Sequence, residues 1–197
     1  MGGLGILLYQ PTNDSHSNEQ RQKENKTLIL YLTRTKNTKA VAEIIQQKVG
    51  GNLVELEIQI PYPENYQAHV DQVEKENETG YLPPLKTKLD VGNYDTIFIG
   101  FPTWGMQLPP PMKSFLKQYN LSGKTIIPFN TNAKFGVGSG FETIGKLCPD
   151  SEVLEGLSTR GGYEKKGVFL AVKNERAEEV KQEVNVWLER IGVTVEK

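Results

Sequence analysis

Three short segments of the sequence combine residue types that bind phosphate and a flat heterocycle. The first, LYLTRTKNTKAVAE at residues 30–43, places hydroxyls, an amide and a lysine between an apolar run and a helical pattern. Oriented donors at a helix N-terminus, together with the helix dipole, bind a phosphate dianion. Thr and Asn also cap helices, so this segment alone is equally consistent with a simple helix start. The candidate phosphate ligands are Thr33, Arg34, Thr35, Lys36, Asn37 and Thr38.

Two further segments carry residues suited to holding a flat ring. The first of these contains Pro102, Thr103, Trp104, Gly105 and Met106. A tryptophan on a loop after a buried strand can stack on a heterocycle, although it can also simply cover the core. The segment 131–140 is rich in glycine, which lets the backbone approach a ligand closely. Together the three segments would hold a mononucleotide, with its phosphate at one end and its planar ring at the other.

The apolar pattern predicts the elements that position these segments. Strands are predicted at 28–32, 52–59, 96–100, 125–129 and 152–157, with helices between them. Several strands are continuous apolar runs, as is typical of parallel strands buried on both faces. The β-α-β-α order therefore predicts a parallel sheet covered by helices on both sides. Ligands bind beyond the carboxyl ends of such strands, where all three segments lie.

The end of the chain is less regular. Residues 167–172 (GVFLAV) are strand-like, but the pattern gives them no place in the sheet. The last helix is the clearest of all, because apolar residues recur on one face. These residues are Ala177, Val180, Val184, Trp187, Leu188 and Ile191.

Composition limits the classes of function. The 197 residues, 37% hydrophobic and 24% charged, fit one soluble globular domain with a real core. A net charge of −1 gives no electrostatic case for binding nucleic acid. The single cysteine, Cys148, excludes internal disulfides and cysteine-based metal sites, and we expect it to pack as a small hydrophobe. With only His16 and His69 besides, we predict no metal site and no catalytic side chain.

Residues 1–26 differ from the rest and are predicted to be a leader or linker outside a single domain at 27–197. The apolar run at residues 1–9 is far shorter than the ~20 residues that span a bilayer, and no charged segment precedes it. One interpretation is the end of a trimmed membrane anchor followed by a spacer. The other is a leader that docks on the surface or on a second copy. The expected location is the cytoplasm, with a membrane tether as the alternative.

Five ordered stretches resemble the flavodoxin family, especially bacterial flavodoxin-like proteins with a long C-terminal part. They are LYLTRTKNTKAVAE, PYPENY at 61–66, YDTIFIGFPTW at 94–104, FLKQYNLSGKTIIPFNT at 115–131 and LCPDSEVLEGL at 147–157. The resemblance implies a three-layer α/β/α fold with a five-stranded parallel sheet in the order 2-1-3-4-5. It also implies FMN at the switch point between strands 1 and 3. Tyr62 and Tyr66 match the pattern too, and we interpret both as structural.

The resemblance also implies roles for the three segments. Residues 33–38 would hold the phosphate of FMN, and 102–106 would flank the isoalloxazine. Its polar edge would lie beside Thr131, Asn132, Ala133, Lys134, Phe135 and Gly136.

Two departures from the family pattern bear on this assignment. Lys36 stands where the family usually has glycine. It would strain the loop by ~1 kcal/mol if the position needs a positive φ, and it would otherwise add a donor beside the phosphate. Lys134 and Phe135 stand where the family has small residues. Lys134 would either stabilise the negative charge that the flavin gains on reduction or point to solvent.

The leading functional prediction is an FMN-dependent electron-transfer protein whose partner is a redox protein or a small-molecule acceptor. An FMN-dependent NAD(P)H:quinone or small-molecule reductase is the alternative, although no second dinucleotide motif is visible. A binding module that has lost FMN is a third reading. Ser139 between glycines suggests a hydrolase only weakly, because Val137 breaks G-x-S-x-G and His69 is expected far from the site.

Overall fold

The structure, a computed structural model, describes residues 26–193. Its strands and helices alternate along the chain, except that two strands follow one another at residues 152–160. In chain order they are β1 (Thr27–Tyr31), α1 (Asn37–Val49), β2 (Asn52–Glu55), α2 (Tyr66–Thr79), β3 (Thr96–Pro102), α3 (Pro110–Gln118), β4 (Thr125–Asn132), α4 (Gly140–Leu147), β5 (Glu152–Val153), β6 (Leu157–Arg160) and α5 (Asn174–Arg190). Short 3-10 helices at Val91–Asn93 and Glu164–Lys166 complete the set.

The strands form one parallel sheet in the order β2-β1-β3-β4-β5. The predicted fold class and strand order are therefore confirmed. The order reverses between β1 and β3, and β1 pairs with β3 along all of β1, from Thr27 opposite Thr96 to Tyr31 opposite Gly100. A crevice beyond the carboxyl ends of β1 and β3 is the expected place for a ligand.

Alternate residues of the central strands enter two separate cores. In β1, Leu28 and Leu30 join a cluster with α3 and α4, whereas Ile29 and Tyr31 join one with α1 and α5. Successive strand side chains point to opposite faces, so this division confirms helices on both sides. Cys148 is 4% exposed in the first core, as expected, and burial raises the pKa of its thiol to about 11.

Two predicted strands are cut short or broken in the structure, whereas β3 and β4 run past their predicted ends to Pro102 and Asn132. The second predicted strand ends at Glu55, and beyond it Ile58 makes only a single antiparallel bridge to Leu85. The predicted strand 152–157 is broken into β5 and β6, both paired with β4. At the break the carbonyl of Glu155 accepts a hydrogen bond from the indole of Trp187 at 2.9 Å. That carbonyl is directed to α5 rather than to a neighbouring strand.

The strand-like segment 167–172 is not a strand, so that interpretation is wrong. It belongs to the β6–α5 loop (residues 161–173), where Val168 makes one isolated bridge to Tyr163. The backbone groups of Phe169, Ala171 and Val172 instead hydrogen-bond to the side chain of Asn37. The side chain of Asn37, in α1, thus provides the hydrogen bonds that a neighbouring strand would otherwise provide.

The predicted leader, apart from Lys26, lies outside the described residues, and the domain limits stay a prediction. Within residues 26–193, none of the helices combines the length and apolarity needed to cross a membrane.

Candidate functional site

A cavity of about 750 Å³ opens at the carboxyl ends of β1, β3 and β4. All three predicted segments reach it, which follows from their shared edge of the sheet. The predicted residues that line it are Arg34, Thr35, Asn37, Pro102, Thr103, Trp104, Gly105, Met106, Thr131, Asn132, Ala133 and Phe135. The remaining five, which do not line it, are Thr33, Lys36, Thr38, Lys134 and Gly136.

Lys36 adopts the left-handed backbone conformation that the sequence left open. Its φ is 64° and its ψ is 3°, immediately before α1 begins, and its side chain is exposed and outside the cavity lining. Of the two alternatives, the structure therefore favours strain over an added donor. A non-glycine residue here costs about 1 kcal/mol.

Replacing this lysine tests the strain directly. Lys36→Gly is expected to raise the free energy of unfolding by about 0.5–1 kcal/mol, because glycine removes the steric cost of the left-handed region. Gln47→Gly, in an exposed position of α1, is the matched control and should lower it by about 1 kcal/mol. Urea unfolding measures both. Equal destabilisation by the two glycines would contradict the assigned strain.

The side chains of Asn37 and Thr38 are engaged within the protein. The amide of Asn37 donates to Thr35 Oγ1 at 2.8 Å and accepts from two backbone N–H groups of the β6–α5 loop. The hydroxyl of Thr38 pairs with that of Thr131 at 2.8 Å, and both are buried. These two side chains hold the loops in place, so neither of them is free to bind an anion.

The N-terminus of α1 has the donors that an anion requires. No side chain caps it, and the first N–H groups of a helix have no partner within the helix. Beside it the hydroxyl oxygen of Thr33 is buried and has no hydrogen-bond partner. Buried polar groups are normally paired, so this hydroxyl is unusual, although Thr33 itself does not line the cavity.

Arg34 forms an ion pair that the sequence did not predict. Its guanidinium donates twice to Glu164, at 2.8 Å to each carboxylate oxygen, and also to the carbonyls of Pro63 and Glu64. The two charged side chains are 16% and 14% exposed. Arg34 lines the cavity, and Glu164 balances its positive charge.

Trp104 packs edge-on in an aromatic cluster at the other end of the cavity. Its ring centroid lies 4.3 Å from that of His69 and 5.2 Å from that of Tyr62, both in T-shaped contacts. The hydroxyl of Tyr62 donates to the buried carboxylate of Glu76. Tyr62 is structural as predicted, whereas Tyr66 also lines the cavity. Trp104 is thus supported from behind by α2 and the segment before it.

His69 is close to the site, contrary to the sequence-based expectation. It is 3% exposed, lines the cavity from α2, and neither ring nitrogen has a hydrogen-bond partner. Burial, together with the positive charge of Arg34, lowers the pKa of His69 to about 4, although Glu164 opposes this shift. His69 is therefore neutral at physiological pH. Within residues 26–193, neither ring nitrogen of His69 is hydrogen-bonded to Ser139.

The third segment is braced against the second. The hydroxyl of Thr103 donates to the carbonyl of Gly136 at 2.8 Å, and the amide oxygen of Asn132 accepts from the N–H groups of Lys134 and Gly136. The side chain of Lys134 is exposed, and its residue does not line the cavity. The structure thus favours the interpretation in which Lys134 faces solvent. Phe135 lines the mouth and is 63% exposed.

Comparison with known proteins decides the family. The family model described as Flavodoxin matches residues 26–174. The chain belongs to the flavodoxin family. A search of curated proteins finds no match.

Solved structures resemble this flavodoxin over most of its length. A protein of Bacteroides eggerthii DSM 20697, provisionally assigned as a flavoprotein, is 25% identical with a TM-score of 0.67, covering 85% of this chain and 98% of its own. A similarly assigned protein of Bacteroides uniformis ATCC 8492 is 25% identical with a TM-score of 0.65, covering 81% and 97%. A flavoprotein of Lactobacillus acidophilus NCFM, solved in complex with FMN, is 24% identical with a TM-score of 0.60, covering 68% and 91%.

Two walls of the flavodoxin's cavity were missed from the sequence. One is a face of α2, including His69, Val70 and Val73, and the other is residues 161–164 of the β6–α5 loop. The pair Gly161-Gly162 followed by charged residues was a signal that could have indicated a functional loop. The α2 face gave no comparable signal, because its contact with the cavity depends on tertiary packing.

Proposed function

We propose that this flavodoxin binds FMN in the cavity and acts as an electron-transfer protein. The observation that carries the proposal is one cavity with two different ends. At one end lies the uncapped N-terminus of α1, where Thr35 and Asn37 line the cavity. At the other end lies Trp104 of the second loop, whose ring packs against His69 and Tyr62. A mononucleotide with a phosphate and a flat ring fits this arrangement.

The residues present suit FMN in their donor chemistry. The backbone N–H groups after β1, with the hydroxyl of Thr35, would hold the phosphate at the N-terminus of α1. Trp104 would face the ring, and Thr103 holds the adjacent loop in position through Gly136. The solved flavoprotein complex from Lactobacillus acidophilus, with the same fold, supports the choice of FMN.

Bound FMN supplies reversible electron transfer, and the protein supplies binding, orientation and electrostatics. His69 stays neutral behind Trp104 and adds no charge to the ring site. The partner, a redox protein or a small-molecule acceptor, would approach at the mouth, where Met106 and Phe135 are exposed. Exposed apolar side chains beside a cavity are suited to such a contact.

A flavin titration of the purified protein tests the proposal. We expect FMN to bind, with a changed absorbance spectrum and quenched flavin fluorescence. Riboflavin, which lacks the phosphate, should bind at least about a hundredfold more weakly, or 2.7 kcal/mol. Thr35→Val should weaken FMN binding about tenfold and leave riboflavin binding unchanged, because it removes the hydroxyl of a residue that lines the cavity beside the N-terminus of α1.

Absence of FMN binding by the wild-type protein would reject the proposal. With FMN bound, anaerobic addition of NADPH separates a carrier from a reductase. A carrier keeps its flavin oxidised, whereas stoichiometric reduction would favour the NAD(P)H-dependent alternative.

A further inference from the structure

Large apolar side chains are exposed beside the mouth of the cavity, on the loop after β4 (residues 133–139) and on the β6–α5 loop. Phe135 and Tyr163 both line the cavity and meet in a T-shaped contact, with ring centroids 5.7 Å apart. Val168 is bridged to Tyr163, and Phe169 follows it in the chain. Phe135, Val168 and Phe169 are 63%, 46% and 57% exposed. These four residues, which we call the mouth patch, form an apolar surface across two loops.

The backbone behind the mouth patch is fixed by polar contacts. The side chain of Asn37 donates to the carbonyl of Phe169 at 2.6 Å and accepts from the N–H groups of Ala171 and Val172. A Cβ atom on Gly162 would lie 2.0 Å from the same carbonyl oxygen, so the loop packs closely there. A surface that is already rigid loses little conformational entropy when a partner binds, which suits it to docking.

Exposed lysines accompany the mouth patch on the same two loops. Lys134 adjoins Phe135, and Lys165 and Lys166 lie in the 3-10 helix between Tyr163 and Val168. Within residues 26–193, none of these three lysines forms an ion pair. Their charges are therefore available to a partner.

The positive charge at this edge of the sheet contrasts with the whole chain, which has 23 basic and 24 acidic side chains. The loops after β1 (residues 32–36) and β4 and the β6–α5 loop contain one carboxylate, that of Glu164, and it is paired with Arg34. The other cationic residues of these loops are Lys36, Lys134, Lys165, Lys166 and Lys173. A different wall of the cavity, on α2, carries Glu74 and Glu78. The mouth thus has a basic side at the mouth patch and an acidic side at α2.

We propose that the mouth patch and its lysines are a docking surface for an acidic redox protein, whose carboxylates surround the exposed edge of its own redox centre. The inference rests on the proposed electron transfer and names the class of partner. An apolar centre with a charged rim is the ordinary composition of a protein–protein contact. Opposite charges would steer the partner to the mouth, and Glu74 and Glu78 would turn its acidic side towards the lysines.

The position of the mouth patch favours a redox protein over a membrane or a second copy of the chain. Phe135 and Tyr163 line the cavity in which we place the flavin, and electron transfer requires the two redox centres to lie close together. A partner seated on these side chains would bring its own centre to the mouth of the cavity.

The test measures binding of fluorescently labelled plastocyanin, an acidic one-electron acceptor, by fluorescence anisotropy with and without FMN. Labelled cytochrome c, a basic acceptor, is the probe of opposite charge. The variant Lys165→Gln/Lys166→Gln removes two charges beside the mouth patch. Its matched control, Lys88→Gln/Lys117→Gln, removes two exposed charges outside the cavity lining and leaves the same net charge.

A second pair of variants tests the apolar part of the surface. Val168→Ser makes the mouth patch more polar, and the bridge to Tyr163 is kept because it involves the backbone alone. Val186→Ser, at a position of α5 that is 59% exposed, is the matched control. None of the six substituted residues lines the cavity, so FMN affinity should stay unchanged. Circular dichroism verifies that each variant is folded.

Plastocyanin should bind at least about tenfold more tightly than cytochrome c at low salt. Its binding should weaken at least about tenfold between about 10 mM and about 300 mM NaCl, because salt screens exposed charges. Lys165→Gln/Lys166→Gln should weaken it about fivefold and reduce the salt dependence, and Val168→Ser should weaken it about threefold. Both controls should match the wild type.

Equal binding of plastocyanin and cytochrome c, or an unchanged plastocyanin affinity in Lys165→Gln/Lys166→Gln, would overturn the inference. Lysine-dependent binding to phosphatidylglycerol vesicles without binding to plastocyanin would overturn it in favour of a membrane surface. A dimer that Val168→Ser dissociates in analytical ultracentrifugation would overturn it in favour of a second copy. If FMN does not bind, the proposed function fails, but plastocyanin binding without FMN still decides whether the docking surface exists.

Discussion

Replacing Gly138 with alanine is expected to lower the free energy of unfolding by about 3 kcal/mol. Gly138 has a φ of 59°, and a Cβ atom there would lie 2.0 Å from the carbonyl oxygen of Met106. That carbonyl also accepts a hydrogen bond from the N–H of Ser139 at 3.0 Å. The methyl group must therefore push apart the loop that carries Trp104 and the loop after β4, and FMN affinity should fall as well.

Gly136 offers a matched control two residues away. Its φ is 84°, but a Cβ atom there would meet nothing within 4 Å. Gly136→Ala should therefore lower the free energy of unfolding by only about 1 kcal/mol, the cost of placing alanine in the left-handed conformation. Urea unfolding of both variants separates the collision from the conformational cost, and equal losses would show that the two loops do not press on each other at Gly138.

Replacing His69 with phenylalanine is expected to remove a large part of the acid sensitivity of the fold. The pKa of His69 is lowered to about 4 in the folded protein from its ordinary value of 6.5, mainly by burial. Between these values the unfolded chain takes up a proton that the folded chain refuses, so stability falls as pH falls. At about 1.4 kcal/mol per pH unit the loss reaches on the order of 3 kcal/mol by pH 4.

The measurement is the free energy of unfolding from pH 8 to pH 4, expressed as the difference between wild type and variant. All other titratable groups are common to both proteins, so their contributions cancel in this difference to a first approximation. His69→Phe should also raise the free energy of unfolding at pH 8 by about 1–2 kcal/mol, because it removes the two buried ring nitrogens of His69 that have no hydrogen-bond partner. His69→Gln should flatten the pH dependence without that gain. If the free energy of unfolding depended on pH in the same way in all three proteins, the assignment of His69 as a buried neutral histidine would be contradicted.

The three loops could be predicted from the sequence because topology alone brings them together. Once β1, β3 and β4 are recognised as parallel, their carboxyl ends must share an edge. The left-handed conformation of Lys36 could be anticipated only as one of two alternatives. Its backbone angle depends on how the turn enters α1, and residue type does not determine that.

The roles of side chains within the loops were harder to predict. Asn37 was interpreted as a phosphate ligand, yet its amide holds backbone groups of residues 169–172. Arg34 has no acidic partner nearby in sequence, and its partner Glu164 lies 130 residues away. His69 contacts the site through the packing of α2 on Trp104. These contacts depend on tertiary structure that the hydrophobic pattern does not contain.

The bonds of Asn37 and Arg34 to the β6–α5 loop also set the order in which the site is completed during synthesis. They join segments separated by 130 to 135 residues, among the longest sequence separations in the protein. Contacts of such separation form late, because the intervening chain must first be ordered. A nascent chain that has folded β1 and α1 thus still lacks the second wall of its phosphate site. The cofactor would then join a nearly finished domain, and the first strands must fold without its help.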